Sequence, residues 1–243
     1  MTKLSVNINK IATLRNARGG NVPDVVRVAV DCQRFGAQGI TVHPRPDQRH
    51  ITHKDVFDLK PVITTEYNIE GNPTEDFIKL VTAACPTQVT LVPDAPDNIT
   101  SDAGWNTVAN AGFLADVTAR FKAAGIRVSI FVDPVPEMVE GASRAGADRV
   151  ELYTERFARL YGQGDKSVIK PYCEAAECAR SLGLGLNAGH DLSLDNIEFF
   201  INNIPFTDEV SIGHALISEA LYLGLENTIG SYLNKIRRAS QGV

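Results

Sequence analysis

Residues 34–43 read RFGAQGITVH and contain the junction that decides the fold. Gly36 suits the left-handed backbone conformation that commonly ends a helix, and the β-branched run at residues 40–42 is typical of a strand. His43 then places a titratable side chain where that strand ends. The segment predicts a helix, a short turn and a strand whose carboxyl end carries reactive groups.

The same junction recurs along the chain, with glycine-containing turns at residues 123–125, 144–147 and 181–183. The eight predicted strands are residues 4–8, 39–43, 66–70, 88–92, 127–132, 149–153, 185–188 and 209–212. Helical patterns separate them, and strict alternation of strand and helix requires right-handed crossovers and a parallel sheet. Eight repeats of about 30 residues fit a closed (β/α)8 TIM barrel better than an open sheet. We therefore predict an α/β fold, a TIM barrel with additional helices, with residues 1–243 in one catalytic domain.

Three segments carry further structural predictions. The polar residues 101–110 are expected to lead into an extra helix, and the turn-rich residues 93–98 to form a mobile lid. One long helix after the eighth strand is predicted from apolar residues at helical spacing: Ile217, Leu221, Leu225, Ile229, Tyr232 and Ile236.

The composition limits the class of ligand. A formal net charge of -5 provides no basic footprint for nucleic acid or an anionic membrane, so any anionic ligand has to be held by local groups. Small phosphorylated metabolites fit this condition. The chain has no run of about 18 apolar residues, and it leads directly from Met1 into a strand pattern, so we expect a cytoplasmic protein. The four cysteines form no C-x-x-C pair and are expected to be free thiols.

Five predicted strands end in residues that transfer protons or hold anions. They are Asn7, His43, Glu70, His190 and the pair Gly213 and His214. A packed core has no use for unpaired ionisable groups, because their burial is unfavourable. In TIM barrels, by contrast, the carboxyl ends of the strands assemble the active site. The pattern therefore predicts an enzyme.

Two of these strand ends have alternative interpretations. The loop from His43 to His50 contains two histidines, two arginines and a carboxylate, which favours phosphate binding and proton transfer, although a solvated surface loop fits the same composition. Glu70 lies on a strand face where a carboxylate suits a general base. The alternative for Glu70 is a structural ion pair, with Arg45 as a candidate partner.

The helix that follows Gly213 and His214 has an amino terminus suited to bind phosphate through its N–H groups. Lys10, just after the first strand, is a candidate for a Schiff base or, with an exposed amine, for a phosphate contact. No metal site is expected, because metal-ligand spacings such as H-E-x-x-H are absent and the histidines are mixed with arginines. A G-x-S-x-G hydrolase motif is also absent.

Longer motifs extend over nearly the whole chain: residues 6–8, 11–19, 39–43, 49–51, 90–93, 187–190 and 212–215, together with Arg45 and Glu70. They resemble the pyridoxine 5′-phosphate synthases of the PdxJ family. The resemblance implies condensation of 1-deoxy-D-xylulose 5-phosphate with 3-amino-2-oxopropyl phosphate to give pyridoxine 5′-phosphate, phosphate and water, in de novo vitamin B6 biosynthesis. It implies no cofactor, and it implies a homo-oligomer, specifically an octamer.

The resemblance also implies residue roles. His43 and Glu70 would be general bases, His190 a general acid, and Glu151 a supporting residue. Deoxyxylulose phosphate would be bound by Arg45, His50 and Thr100, and Asn9 and Lys10 stand where further substrate contacts are expected. The amino ketone phosphate would be bound by a second set: Asn7, Arg18, the backbone of Asp191, Gly213 and His214.

The chain departs from the family pattern at three positions. Asn9 and Lys10 stand where Asp and His are often found, so we expect a changed contact to substrate there. Asp191 stands where Gly is common, and its charge is unfavourable near a phosphate unless the side chain points away. Two other functions stay open: another sugar-phosphate aldolase or isomerase, and a phosphate-binding barrel without catalysis.

Overall fold

The computed structural model describes residues 1–94 and 103–241. Its eight strands are parallel, each pairs with the next in chain order, and β8 pairs with β1 to close a barrel. The strands are β1 Lys3–Asn7, β2 Gly39–Val42, β3 Glu66–Gly71, β4 Gln88–Leu91, β5 Arg127–Val132, β6 Arg149–Tyr153, β7 Gly185–His190 and β8 Glu209–Ile212. The closed parallel barrel confirms the predicted fold class.

Eleven α-helices surround the barrel in the described part of the chain. They are α1 Asn9–Asn16, α2 Val25–Arg34, α3 His53–Leu59, α4 Glu75–Ala84, α5 Ala111–Ala123, α6 Pro136–Arg144, α7 Glu155–Gly162, α8 Lys170–Ser181, α9 Ile197–Asn203, α10 His214–Leu223 and α11 Leu225–Gln241. A 3-10 helix, Lys166–Ile169, precedes α8. The additional helices follow β1, β6 and β8, where each repeat has two α-helices. The described residues 103–110 lead instead into α5, the barrel helix of the fourth repeat.

The prediction of one long helix after β8 was wrong. Gly224 ends α10 with a φ of +79°, a conformation that favours glycine, and α11 starts at Leu225. In α11, which contacts α9, α10 and α2, Ile229, Tyr232 and Ile236 are buried, whereas Leu221 at the end of α10 is 75% exposed. The apolar pattern therefore belonged to two helices with different neighbours.

No described helix has both the length and the apolar character needed to cross a membrane. The predicted octamer stays a prediction.

The inner face of the barrel is polar, and the outer face is apolar. Because side chains alternate along a strand, the residues two positions before Asn7, His43 and Glu70 share the inner face with them. Ser5, Thr41, Asn68 and Thr90 lie at this level and are buried. Their side chains form hydrogen bonds from strand to strand: Ser5 to Thr41 at 2.7 Å, Asn68 to Thr41 at 3.4 Å, and Thr90 to Asn68 at 3.1 Å.

Charge pairs close the amino-terminal end of the barrel. Glu66 makes ion pairs with both Lys3 and Arg127, so three strands are joined by one carboxylate. Arg149 donates to the Asn187 side-chain oxygen at 2.9 Å and joins β6 to β7. These contacts leave the opposite, carboxyl-terminal end for the reactive side chains.

A buried ion pair supports the loop after β2. Arg15 of α1 binds both carboxylate oxygens of Asp55 at 2.5 and 2.8 Å, and it donates to the His50 carbonyl at 3.2 Å. Asp55 also accepts the Thr52 N–H at 2.7 Å, while the Thr52 hydroxyl accepts the Asp55 N–H, which forms a capping box at the start of α3. The loop that carries His50 is therefore anchored from two helices.

We expect Asp55→Asn to lower the free energy of unfolding by about 3 kcal/mol, because Arg15 would stay buried without its opposite charge. Urea unfolding measures the change. Asp58→Asn, which removes a carboxylate from an exposed pair with Lys54 on the same helix, should leave the unfolding free energy unchanged. Equal losses in both variants would contradict a special role for the buried pair.

Candidate active site

A cavity of about 570 Å³ lies at the carboxyl ends of the strands. Its lining includes twelve of the fourteen predicted site residues: Asn7, Asn9, Lys10, His43, Arg45, His50, Glu70, Glu151, His190, Asp191, Gly213 and His214. Arg18 is exposed on the turn after α1 and does not line this cavity. Thr100 and residues 95–98 of the predicted lid lie outside the described residues.

His43, Glu70 and Asp94 approach one another from three strand ends. The Nδ1 atom of His43 lies 4.0 Å from a carboxylate oxygen of Glu70, and its Nε2 atom lies 3.8 Å from a carboxylate oxygen of Asp94. Asn7 of β1 donates to the same Glu70 oxygen at 3.3 Å. Two carboxyl groups therefore flank one imidazole.

The surroundings of His43 disfavour its charged form. Burial and the nearby cations, Arg45 first among them, hold the pKa of His43 well below its usual value. The imidazole is therefore neutral near pH 7 and has a free electron pair for a proton. This state suits a general base.

The carboxyl groups of Glu70 and Glu151 show the opposite shift. Burial and the charge of Glu151 raise the pKa of Glu70 well above its usual value. Burial and the charge of Glu209 raise the pKa of Glu151 to about 8. Burial therefore favours the protonated form of both groups, whereas a cation close to Glu70 would favour its ionised form.

The loop after β2 is buried where it begins. His43 and Arg45 are only 6% and 4% exposed, which does not fit the surface-loop alternative for this part. Arg45 forms an ion pair with Asp94 at 2.6 Å. The structural alternative for Glu70 had instead expected Arg45 to pair with Glu70. Burial and Arg45 lower the pKa of His50 to about 4. The positive charge at this side of the cavity therefore comes from Lys10, Arg45 and Arg49.

Asn9 and Lys10 have different tasks. The Asn9 side-chain oxygen accepts the backbone N–H of His43 at 2.9 Å, so Asn9 holds the strand end that carries the imidazole. Lys10 is exposed at the mouth of the cavity. A Schiff-base lysine needs desolvation or a close cation, so its exposure favours a phosphate contact.

The start of α10 forms the part of the cavity lining next to the end of β1. Gly213 precedes the helix, and no side chain caps the first turn of α10. A Cβ atom at Gly213 would lie 3.2 Å from the Asn7 Cβ atom, so glycine permits this close approach of β8 and β1. The N–H groups of the first turn are suited to bind an anion there.

His190 ends β7 beside two aromatic rings. Its ring centroid lies 5.7 Å from that of Tyr153 and 6.5 Å from that of Phe131. The carboxylate of Asp191 lies 3.0 Å from His190 Nδ1. The Asp191 charge, which was expected to be unfavourable near a phosphate, thus lies against the His190 imidazole.

Sequence reasoning missed Tyr153 and Arg49 in the cavity lining, and Asp94 beside His43 and Arg45. Asp94 and Tyr153 stand at or after the ends of β4 and β6, so the strand-end rule that selected His43 would have found both. Arg49 was noted in the loop composition and was not selected. Among residues 1–94 and 103–241, no group of three or more His, Cys, Asp or Glu residues is arranged to hold a metal ion.

Comparison with known proteins identifies the family. Residues 4–238 match the family described as pyridoxal phosphate biosynthesis protein PdxJ. The chain belongs to the PdxJ family. It is 66% identical to the pyridoxine 5′-phosphate synthase of Flavobacterium johnsoniae and 63% identical to that of Cytophaga hutchinsonii, with 98% of this chain and all of each relative covered. Family membership confirms the resemblance and the prediction of an enzyme.

Solved structures agree with the barrel of this PdxJ family member. The 3-keto-L-gulonate-6-phosphate decarboxylase of Vibrio cholerae gives a TM-score of 0.66 at 13% identity, over 98% of both chains. Phosphoribosylanthranilate isomerase from Thermotoga maritima gives 0.60 at 13% identity, over 98% of this chain and 99% of the other. At such identities the likeness concerns the fold alone.

The raised pKa of Glu151 predicts a pH-dependent stability. Its folded pKa of about 8 exceeds the unfolded value, so the stabilising effect of the bound proton is present at low pH and is lost as the pH rises toward 8. Relative to the unmodified chain, Glu151→Gln should gain unfolding free energy between pH 5 and 8, by up to about 1.4 kcal/mol per pH unit. Glu137→Gln, an exposed control on α6, should show no such trend in urea unfolding. A constant difference for Glu151→Gln would contradict the raised pKa.

Proposed function

We propose that this PdxJ family member condenses 1-deoxy-D-xylulose 5-phosphate with 3-amino-2-oxopropyl phosphate to form pyridoxine 5′-phosphate, phosphate and water in de novo vitamin B6 biosynthesis. The observation that carries the proposal is the convergence of His43, Glu70 and His190 in one cavity. The reaction needs imine formation, loss of phosphate and water, addition of water, carbon–carbon closure and aromatisation. Several proton transfers thus have to occur in one place.

Two candidate anion-binding regions, one after β1 and β2 and one at the start of α10, support two phosphorylated substrates. Lys10, Arg45 and Arg49 are proposed to bind the phosphate of deoxyxylulose phosphate, since arginine and lysine provide several charged donors. The first turn of α10, at Gly213 and His214, is proposed to bind the other phosphate. The reacting carbonyl and amine would then meet between them.

The titratable groups of the cavity fit different proton-transfer tasks. Neutral His43 is proposed to accept a proton. Glu70 is proposed to become a base once the cationic amine or imine lies beside it, because that charge stabilises the carboxylate. His190 on the facing strand is proposed to donate a proton to a leaving oxygen. Glu151, a buried neighbour that raises the pKa of Glu70, is proposed as a supporting residue.

Turnover separates this proposal from the two other functions. A sugar-phosphate aldolase or isomerase would turn over a single substrate, whereas condensation requires both. A phosphate-binding barrel without catalysis would bind both substrates and release no product. Phosphate release coupled to a product with pyridine absorbance favours condensation over both.

We expect His43→Gln and Glu70→Gln to lower kcat for pyridoxine 5′-phosphate formation by about 100-fold or more, because each removes a proton acceptor. The assay follows product absorbance with both substrates at saturation. His53→Gln, at the exposed start of α3, is the matched control and should keep full activity. Full activity of the His43 and Glu70 variants would contradict their proposed roles.

Lys10→Met should raise the KM for deoxyxylulose phosphate by about fivefold or more and leave the KM for the amino ketone phosphate within about twofold, since it removes one charge from one side of the cavity. Steady-state kinetics with each substrate varied in turn provides the test. Lys54→Met removes an exposed charge on α3 and should change neither constant. Equal rises in both KM values would argue against two separate phosphate regions.

A further inference from the structure

His190 has an unusual backbone for a residue with a side chain. Its φ is +94°, in a region that favours glycine. Such strain persists only where the surrounding structure imposes the conformation, and it is concentrated at functional sites. Thr154 and Asp191 provide the contacts that hold this residue.

The Thr154 hydroxyl bridges the two peptide groups on either side of His190. It donates to the Gly189 carbonyl at 2.6 Å and accepts the Asp191 N–H at 3.3 Å. Thr154 is fully buried. It stands at the N-cap of α7, where a threonine commonly accepts an N–H of its own helix, yet it makes no such bond. The Thr154 hydroxyl therefore bonds to the end of β7, on both sides of His190, and not to its own helix.

The Asp191 carboxylate holds the ring of the same residue. It lies 3.0 Å from His190 Nδ1, and the Asp191 carbonyl accepts the Asn196 side-chain N–H at 3.4 Å, which fixes the loop. A carboxylate at one ring nitrogen favours a proton on that nitrogen and directs the other nitrogen away. The Tyr153 ring packs edge-on against the imidazole and limits its rotation.

We propose that Thr154 and Asp191 are positioning residues for His190: the threonine hydroxyl fixes its backbone, and the aspartate carboxylate fixes the orientation of its ring by keeping a proton on Nδ1. Nε2 of the charged ring then carries the proton that is donated, and the Nδ1–H tautomer remains after the transfer. This inference rests on the proposed function, in which His190 is a proton donor. It gives a role to Asp191, which stands where Gly is common in the family: its carboxylate holds the His190 imidazole.

Substitution of Thr154 tests the backbone contact. Thr154→Val keeps the shape, removes the hydroxyl and should lower kcat about tenfold, with both KM values within about twofold. Thr154→Ser keeps the hydroxyl and should recover most of the rate. Thr207→Val is the matched control, because Thr207 is also buried and donates to a backbone carbonyl, that of Ile204, outside the cavity. It should keep the full rate.

Several outcomes would overturn the role of Thr154. An unchanged kcat in Thr154→Val, no recovery in Thr154→Ser, or an equal loss in Thr207→Val would each do so. Equal changes in KM and kcat would indicate general damage to the cavity instead of misplacement of His190.

Nitrogen-15 NMR of the imidazoles tests the ring contact without turnover. In the unmodified protein, at a pH high enough for a neutral ring, the His190 signals, assigned by their loss in His190→Gln, should show the remaining proton on Nδ1. In Asp191→Ala the two nitrogens should become averaged between tautomers. Asp195→Ala removes an exposed carboxylate from the same loop and should leave the Nδ1 proton in place. Averaged nitrogens in the unmodified protein would overturn the role of Asp191.

The two experiments separate this inference from the proposed function. If the unmodified chain forms no pyridoxine 5′-phosphate, the proposed function fails, and the NMR result still decides whether Asp191 fixes the His190 ring. If the unmodified chain is active and the variants match it, the positioning role fails alone.

Discussion

The structure depends on keeping ionisable side chains inside a barrel, where water does not stabilise their charges. A buried charge has to be paired or has to be lost by a change of protonation. The amino-terminal end uses pairing, with Glu66 between Lys3 and Arg127. The next level uses neutral hydroxyl and amide groups. At the carboxyl end, burial raises the pKa of Glu70 and Glu151 and favours their protonated forms, so the same constraint that shapes the interior prepares these groups for acid–base chemistry.

Polar side chains hold the backbone at several points around the cavity. Asn9 fixes the N–H of His43, and Arg15 fixes the carbonyl of His50. These contacts come from elements distant in the chain, so a strand end is fixed by its neighbours as well as by its own strand. Such support maintains reacting groups within the narrow geometry that proton transfer needs.

The fold and most of the cavity lining could be predicted because both follow from local pattern and topology. Turns such as the one at Gly36 identify the repeats, and a parallel barrel brings its strand ends, including His43 and Glu70, to one face. Protonation states could not be predicted, since the pKa of Glu151 depends on Glu209 from another strand. The break at Gly224 was missed because apolar spacing continues through it. Arg18 had been selected by resemblance, with no topological reason to place it in the cavity.

The pairing of β8 with β1 has a consequence for biosynthesis of the chain. Asn7 comes from the first strand, and Gly213 from the end of the last, yet both line one cavity and approach closely. During translation the first strand therefore gains its second neighbour only after Glu209–Ile212 have left the ribosome. Contacts so distant in sequence also slow folding. Nascent fragments consequently contain an incomplete cavity, and only the finished polypeptide brings its two edges together.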